Sequence, residues 1–511
     1  MKTSCPLLRR LLLTAGFGGM LLAPGVGAAQ TATPPQPPAG ALTPQAPTGP
    51  WSLQRAVDYA LQNNLTVRQN QLSAQLADAT LRQSRAAMLP TANATASQTW
   101  NYGTNVDPFT FELADQTTRA NNFNASSQLV LFQGFQLRNA VKRNTLDYQA
   151  SLADIEQARN DLSLNVASAY LQLVLAEELV RTNELRVNST QLQVERTKKL
   201  LKAGSVAESN LLDSQAQLAS DELNVITAQN QRELARLTLS QYLNLPSPSG
   251  FTIELPNLPD PDEEAPLAAD PDGTYQTALG LMPQVKAAET RVASALRGVE
   301  VARGAYYPRL SFGAGVFSGY SSLRQTRVLT GDTIITPIPL YQYNPANPSR
   351  PILVPGGFAG FPQPEARSLP EGFGSQFKNN LGRQLQFSLT IPILNGLQAR
   401  TNVQRSQVAV KQAELRAEQT RLALRQNIQQ AYADAIAAQR RFSSAKRQVE
   451  ALTTAYRNAE IRFNNGLLNG TEFNIAKNNL TSAESTMIQA KYEFVFRRKV
   501  LDFYQGRPLT L

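Results

Sequence analysis

The sequence predicts a mainly α-helical chain with membrane β-strands. A long coiled-coil helical barrel adjoins a β-barrel to which each chain gives four strands, and the whole is internally duplicated. Three observations predict this. Apolar residues recur every seventh position over roughly 68 residues. Four uncharged runs of about ten residues alternate apolar with small polar side chains. The same order of elements then occurs twice at fixed spacing.

The 511 residues include no histidine and one cysteine, Cys5. Without imidazole there is no Ser-His or Cys-His nucleophile pair and no His-ligated zinc, and no G-x-x-x-x-G-K-S/T phosphate loop occurs. No catalytic, cofactor-binding or metal-ligating residue is proposed, and an enzyme is not expected. Lys2, Arg9 and Arg10 precede an apolar stretch at 11–22 and the small-residue site Val26-Gly27-Ala28-Ala29, which marks 1–29 as a secretory signal peptide. Its removal takes the formal net charge from +10 to +7 and leaves no cysteine. The remaining basic residues are scattered along helices, so no nucleic-acid partner is expected.

Residues 30–50 hold seven prolines and form a flexible leader. Ser52 then caps a helix carrying Leu53, Ala56, Val57, Ala60 and Leu61, running to about Leu89, where Pro90 stops it. Ala92, Ala94, Ala96 and Trp100 alternate with Thr91, Asn93, Thr95 and Thr99 in a first strand. Phe123, Ala125, Leu129 and Leu131 do so in a second. After Gly134 a helix persists to about Lys202, with an apolar row at Leu152, Val166, Leu173, Val180, Val187, Val194 and Leu201. At 1.5 Å per residue it reaches about 100 Å. A turn at Gly204 leads to a helix at about 208–243. The first structural repeat thus spans 51–245, and 246–273 is an acidic, Pro-rich connector.

The second repeat, 274–505, follows the same plan. A helix starts near Pro283 and ends before Pro308; strands contain Leu310 to Tyr320 and Leu385 to Ile391. A long helix runs from about Leu397 to Phe463, a turn holds Gly466 and Gly470, and a last helix reaches about Tyr504 before a tail at 506–511. Pro90 and Pro308 differ by 218, as do Arg85 and Arg303. Gly134 and Gly396, Arg138 and Arg400, Tyr170 and Tyr432, Gly204 and Gly466 all differ by 262. The additional 44 positions fall in a proline- and glycine-rich segment, 321–382, expected as a long extracellular loop because the strands return to helices on the periplasmic side.

An open sheet in hydrocarbon leaves backbone groups unpaired at several kcal/mol each, so four strands must close with strands of other copies. Eight strands from a dimer or twelve from a trimer would serve, with outer membrane lipid around them. Trp100, Tyr102, Tyr306, Tyr307 and Tyr320 lie near strand ends, where interfacial aromatics belong.

The chain resembles the TolC-like outer membrane factor (outer membrane efflux protein) family. The resemblance covers 51–505 and rests on Ala56-Val57, Asn63-Asn64, Ala86 to Pro90, Leu131-Phe132-Gln133-Gly134-Phe135, Ile391-Pro392-Ile393-Leu394-Asn395-Gly396 and the turns at Gly204 and Gly466. It implies a homotrimer with a twelve-stranded barrel in the outer membrane and a helical tunnel in the periplasm. It also implies docking on a periplasmic adaptor (membrane fusion protein) and an inner-membrane RND or ABC transporter. Together these pass drugs, toxic small molecules or secreted protein. Family members place an acid six positions after the tip glycine; here those positions hold Asn210 and Glu472. The family's polar latch of Tyr, Arg and Asp maps onto Phe463, Leu468 and Asn210, so apolar packing is expected to hold the entrance. Gly204, Ser205, Val206, Gly466 and Leu467 are the implied adaptor-docking tip.

The competing function is a non-conducting, envelope-spanning coiled-coil tether, which the uncharged, membrane-length strands disfavour. A carboxylate hydrolase is disfavoured because Asp260, Asp262, Glu263 and Glu264 lie in a proline-rich connector that could not fix catalytic geometry.

Overall fold

The computed structural model describes residues 49–106, 111, 113–115, 117–245, 251–255 and 270–507. The signal peptide, residues 30–48 of the leader, the acidic cluster at 260–264 and the tail beyond 507 lie outside them.

Two helices, α1 (Leu53–Asn63) and α2 (Leu65–Ala86), stand where one running to Leu89 was expected. Ser52 caps the first, its Oγ accepting from the Arg55 amide at 3.4 Å. The break is at Asn64, whose extended backbone lets its side chain cap the next helix by accepting from Thr66 N at 2.8 Å. The same amide donates to the Tyr242 carbonyl at 3.2 Å, so the break is tied to a neighbouring helix. The second repeat carries the equivalent break between α5 (Pro271–Leu281) and α6 (Pro283–Arg303). Here Met282 is extended because it precedes Pro283. Asn64 and Met282 differ by 218, the spacing of the strand ends they lead to.

The long helices α3 (Gln136–Lys202) and α8 (Gln398–Asn464) have 67 residues each and begin and end 262 positions apart. Both follow a glycine and a non-glycine residue in the left-handed region: Gly134 and Phe135, then Gly396 and Leu397. Gly134 is also sterically required, because a Cβ there would lie 2.3 Å from the Gly304 carbonyl oxygen. The return helices α4 (Glu208–Leu243) and α9 (Gly470–Tyr504) pack back along α3 and α8.

Eight strands are described: β1 (Thr91–Asn101), β2 (Thr104–Val106), β3 (Leu113–Asp115), β4 (Thr118–Gln133), β5 (Arg309–Ser321), β6 (Gln325–Gln342), β7 (Ile352–Pro370) and β8 (Gly382–Thr390). The sheet β1-β4-β5-β8 is antiparallel throughout. Residues 321–382, expected as a loop, instead hold the hairpin β6–β7 and a short helix, α7 (Phe373–Asn379). Prolines at 337, 339, 362 and 364 hid these strands from a sequence reading; a two-stranded ribbon tolerates them because half its backbone N–H groups face outward.

The largest core cluster joins Trp51, Val166, Tyr170, Leu173, Leu239, Leu243 and Phe251. A parallel bridge between Trp51 and Ile253 and edge-to-face contacts of Trp51 with Tyr59 (5.0 Å) and Phe251 (5.2 Å) bind the start of this repeat to the connector that follows it.

Candidate conduit surface and tunnel entrance

The register of the four-stranded sheet sorts its side chains onto two chemically distinct faces. Ala94 pairs with Ala125, Ala125 with Val316, Leu129 with Phe312, and Phe312 with Phe387. These residues, with Ala92, Ala96, Leu385 and Leu389, make an apolar face. Leu385, Phe387 and Leu389 are each more than 60% exposed in the single chain. The opposite face pairs Asn93 with Ser126, Ser126 with Gly315, and Gly315 with Gln384, and lines a polar concavity of 490 Å³. Apolar-out and polar-in is the pattern of a membrane barrel around water. No strand of the sheet pairs with the outer edge of β1 or β8 among the described residues.

At the other end of the long helices, the two tip turns are built alike. Gly204 and Gly466 have φ of +72° and +69°. Ser205 N donates to the Leu200 carbonyl and Gly204 N to that of Leu201, both at 2.9 Å. Leu467 N and Gly466 N donate to Arg462 and Phe463 carbonyls at 2.9 and 3.1 Å, which is the same Schellman closure. Ser205 and Leu467 are exposed, and Val206 is half-buried. The tips lie side by side: Thr471 Oγ1 donates to Asp213 Oδ2 at 3.4 Å, and Asn210 Oδ1 is 3.8 Å from where a Cβ on Gly470 would sit.

Of the entrance candidates, Phe463 stacks on Phe473 of its own hairpin, centroids 4.6 Å apart and planes 13° apart. Leu468 and Asn210 are half-buried. Glu472 is exposed in the first turn of α9, its amide donating to Asn469 Oδ1 at 2.7 Å, and its charge favours that helix N-terminus.

A second polar centre was not singled out from sequence. Asp221 is fully buried between α3, α4 and α9. Its Oδ2 accepts from Thr190 Oγ1 at 2.5 Å, its Oδ1 accepts from Gln217 Nε2 at 3.0 Å, and Arg186 lies at 3.8 Å. Lys477 Nζ donates to Thr190 Oγ1 at 2.6 Å, joining the second hairpin to the first about 20 Å from the tips. Gln217 and Asn478 exchange amide hydrogen bonds beside it. Burial lowers the affinity of Lys477 for its proton, Asp221 opposing and Arg186 reinforcing that shift. Burial likewise lowers Arg186, and raises the nearby Glu484 carboxyl. The available signal was periodicity: Ser214, Asp221, Ala228 and Ala235 form a row of sevens in which a charge stands among small residues. Further along α3, the Tyr170 hydroxyl lies 3.0 and 2.7 Å from the carbonyls of Trp51 and Glu254. Burial and the Glu254 charge push it up to about 12.

Among the described residues, no group of three acidic or cysteine side chains is placed to hold a metal, and no helix is long and apolar enough to cross a membrane, a criterion that does not bear on strands.

Comparison with solved structures gives the fold independently. CusC aligns over 91% of this chain and 96% of its own, with a TM-score of 0.69 and 18% identity. VceC from Vibrio cholerae aligns over 90% and 97%, with a TM-score of 0.68 and 16% identity. By sequence, the pyoverdine export outer membrane protein OpmQ of Pseudomonas putida is 26% identical over 204 residues, 40% of this chain and 42% of that relative's length. The toxin and drug export protein A of Aggregatibacter actinomycetemcomitans is 21% identical over 87% of this chain and 83% of its own. The outer membrane efflux protein family profile matches residues 56–245 and 274–506. With its TolC-like fold and two-faced sheet, the chain belongs to the outer membrane efflux protein family, whose place is the outer membrane with helices reaching into the periplasm.

Proposed function

We propose that the chain is the outer membrane channel of a tripartite export system, a passive conduit for small molecules delivered by an inner-membrane pump and a periplasmic adaptor. The observation that carries this is the sheet. One face is predominantly apolar, the other is lined mostly with Asn, Ser, Thr, Gln and Gly, and both outer edges lack partners among the described residues. Pairing β8 of one copy with β1 of the next satisfies those edges, and three copies make twelve strands around water. Similar chains are named for pyoverdine export, fusaric acid resistance, and toxin and drug export, which supports small-molecule cargo. The reaction is transport, and no bond is made or broken.

The tip turns are the proposed adaptor contact, through Gly204, Ser205, Val206, Gly466 and Leu467. An exposed Leu467 at a helical-hairpin end is explained by a covering partner. The entrance is proposed to be held by Phe463 and Leu468, with Asn210 and Glu472 at its polar rim. Phe463 already holds α8 to α9 through Phe473, so loosening it changes the hairpin that must move.

The test is to extract the protein from outer membranes, measure particle mass and symmetry, and record single-channel conductance in planar bilayers. A three-fold particle with discrete conductance supports the conduit. A soluble monomer, or a membrane particle that never conducts, supports the tether. Charge substitutions at Val206 and Leu467 should abolish export while trimer yield stays normal; normal export removes the docking assignment. Unchanged resting conductance in Phe463→Ala and Leu468→Ala removes the entrance assignment.

A further inference from the structure

The short helix α7 lies on the apolar face of the sheet, at the end remote from the long helices. Phe373 and Phe377, one turn apart, meet Phe123 at 6.1 and 5.5 Å, and Phe373 meets Tyr320 at 5.5 Å. Ser318 Oγ donates to the Phe377 carbonyl at 2.6 Å. Phe123, Ser318 and Tyr320 share the face of Ala96, Ala125 and Val316 by register. The helix is seated firmly. Gln376 is fully buried and its amide group bonds both backbone groups of Ser321 and the Glu371 carbonyl at 2.8–2.9 Å. Glu371 is engaged by Arg324 at 3.0 Å and by Ser375 and Asn379 at 2.7 Å each.

Charge on this face is confined to the same end. Residues 91–101, 120–133, 310–321 and 384–390 contain no ionisable acid or base except Tyr320. Arg119, opposite Trp100, and Arg383, opposite Val316, sit on the apolar face by register, and Lys378 is exposed on α7. Arg119 also lies over the Tyr320 ring, 5.3 Å from its centroid. None of Arg119, Lys378 or Arg383 has a carboxylate within ion-pair distance among the described residues. Along β8 the apolar face runs through Leu385, Phe387 and Leu389, and Arg383 is the next residue on that face toward α7.

We infer that α7 and the surrounding aromatics form a lipid site at the outer-leaflet rim, where Arg119, Lys378 and Arg383 engage the phosphate groups of a phosphorylated glycolipid. The inference rests on the outward orientation of the apolar face proposed above. Cations beside interfacial aromatics, with no ion-paired acid among the described residues, are complementary to anionic head groups. The apolar cluster of Phe373 and Phe377, 48% and 41% exposed, meets the adjoining acyl chains. The end of the apolar face next to the long helices carries no such cations.

Trp100 reports on this rim, because the only other tryptophan, Trp51, is buried in the helical core. The full chain is reconstituted in phosphatidylcholine nanodiscs doped with lipid A, with dephosphorylated lipid A, or with inorganic phosphate added to the buffer. A saturable change in Trp100 emission is expected with lipid A only, weakened about 10-fold in Lys378→Glu/Arg383→Glu. Lys378→Gln, altering one exposed side chain, should show a smaller loss with unchanged trimer yield. An equal response to dephosphorylated lipid A overturns the inference, as does wild-type affinity in the double variant. Competition by inorganic phosphate alone reduces the site to a simple anion site and also overturns it. Bilayer conductance of the same preparation separates the two levels: a conducting protein without lipid discrimination loses only this site, whereas a protein that neither inserts nor conducts loses the channel reading.

Discussion

The two helical hairpins share length, register and turn geometry, yet their seams close by different chemistry. In α8–α9, Phe473 is buried between Phe463 and Tyr456, at 4.6 and 5.6 Å. The corresponding positions of α3–α4, 262 earlier, are Leu211, Leu201 and Val194, which are aliphatic. Conversely, α3–α4 buries Asp221 with Thr190 and Arg186, where the second hairpin has Ala483, Leu452 and Gln448. Duplication preserved the backbone plan because Schellman glycines and heptad spacing are local requirements. The seam chemistry diverged because it answers to whichever helix lies alongside. The charged seam of the first hairpin is also where Lys477 of the second enters, so it joins the two hairpins.

Breaking that charged seam should have the largest effect. Asp221→Ala leaves Lys477 buried without its counter-charge and Arg186 with Glu484 alone, and should destabilise the helical region by about 3–5 kcal/mol in thermal unfolding of the trimer. Adding Lys477→Met should recover part of that loss; no recovery would mean that the two groups are not coupled. Phe473→Ala attacks the aromatic seam and should cost about 3 kcal/mol, read as protease sensitivity near the second tip. If Leu211→Ala costs as much, the aromatic and aliphatic seams are energetically alike and the contrast between them loses its meaning.

Proton linkage gives a subtler reading of the same junction. The folded protein holds Lys477 below its ordinary 10.5. Between that lowered value and 10.5 the unfolded chain binds the proton and the folded one does not, so stability should rise with pH across this window. The rise should be missing from Lys477→Met. Glu484 has the opposite sign: raised above 4.5, it should make stability fall as pH climbs from 4.5 through its folded value.

The smallest test compares the return helices' starts. Asn469 caps α9, whereas Ala207, its counterpart before α4, makes no side-chain cap. Asn469→Ala should cost about 1 kcal/mol, and Ala207→Asn should stabilise by about half that, both by chemical denaturation. Equal and opposite shifts would show that the two N-termini differ only in this side chain.

The helical plan, the strands and the duplication were legible because each depends on local periodicity: sevens along α3 and α8, alternation in β1, β4, β5 and β8, and glycines where φ turns positive. The turns at Gly204 and Gly466 follow from the same local need. The break at Asn64 was illegible because its side chain answers to Tyr242, nearly 180 positions away in sequence. The hairpin β6–β7 was hidden by prolines that only its two-stranded pairing tolerates, and α7 by a length too short to show a period. The entrance candidates were named from resemblance, and the position of Phe463 against Phe473 came only with the packed hairpin. The buried centre at Asp221 required three helices to be brought together, and periodicity alone shows a row without naming what faces it. Sequence by itself therefore determined the elements, their duplication and the two faces of each strand, all of which follow from backbone geometry repeated at short range. Tertiary structure decided which seams carry charge, where the helices break and which end of the sheet holds α7, because those depend on side chains far apart in the chain that meet only after folding.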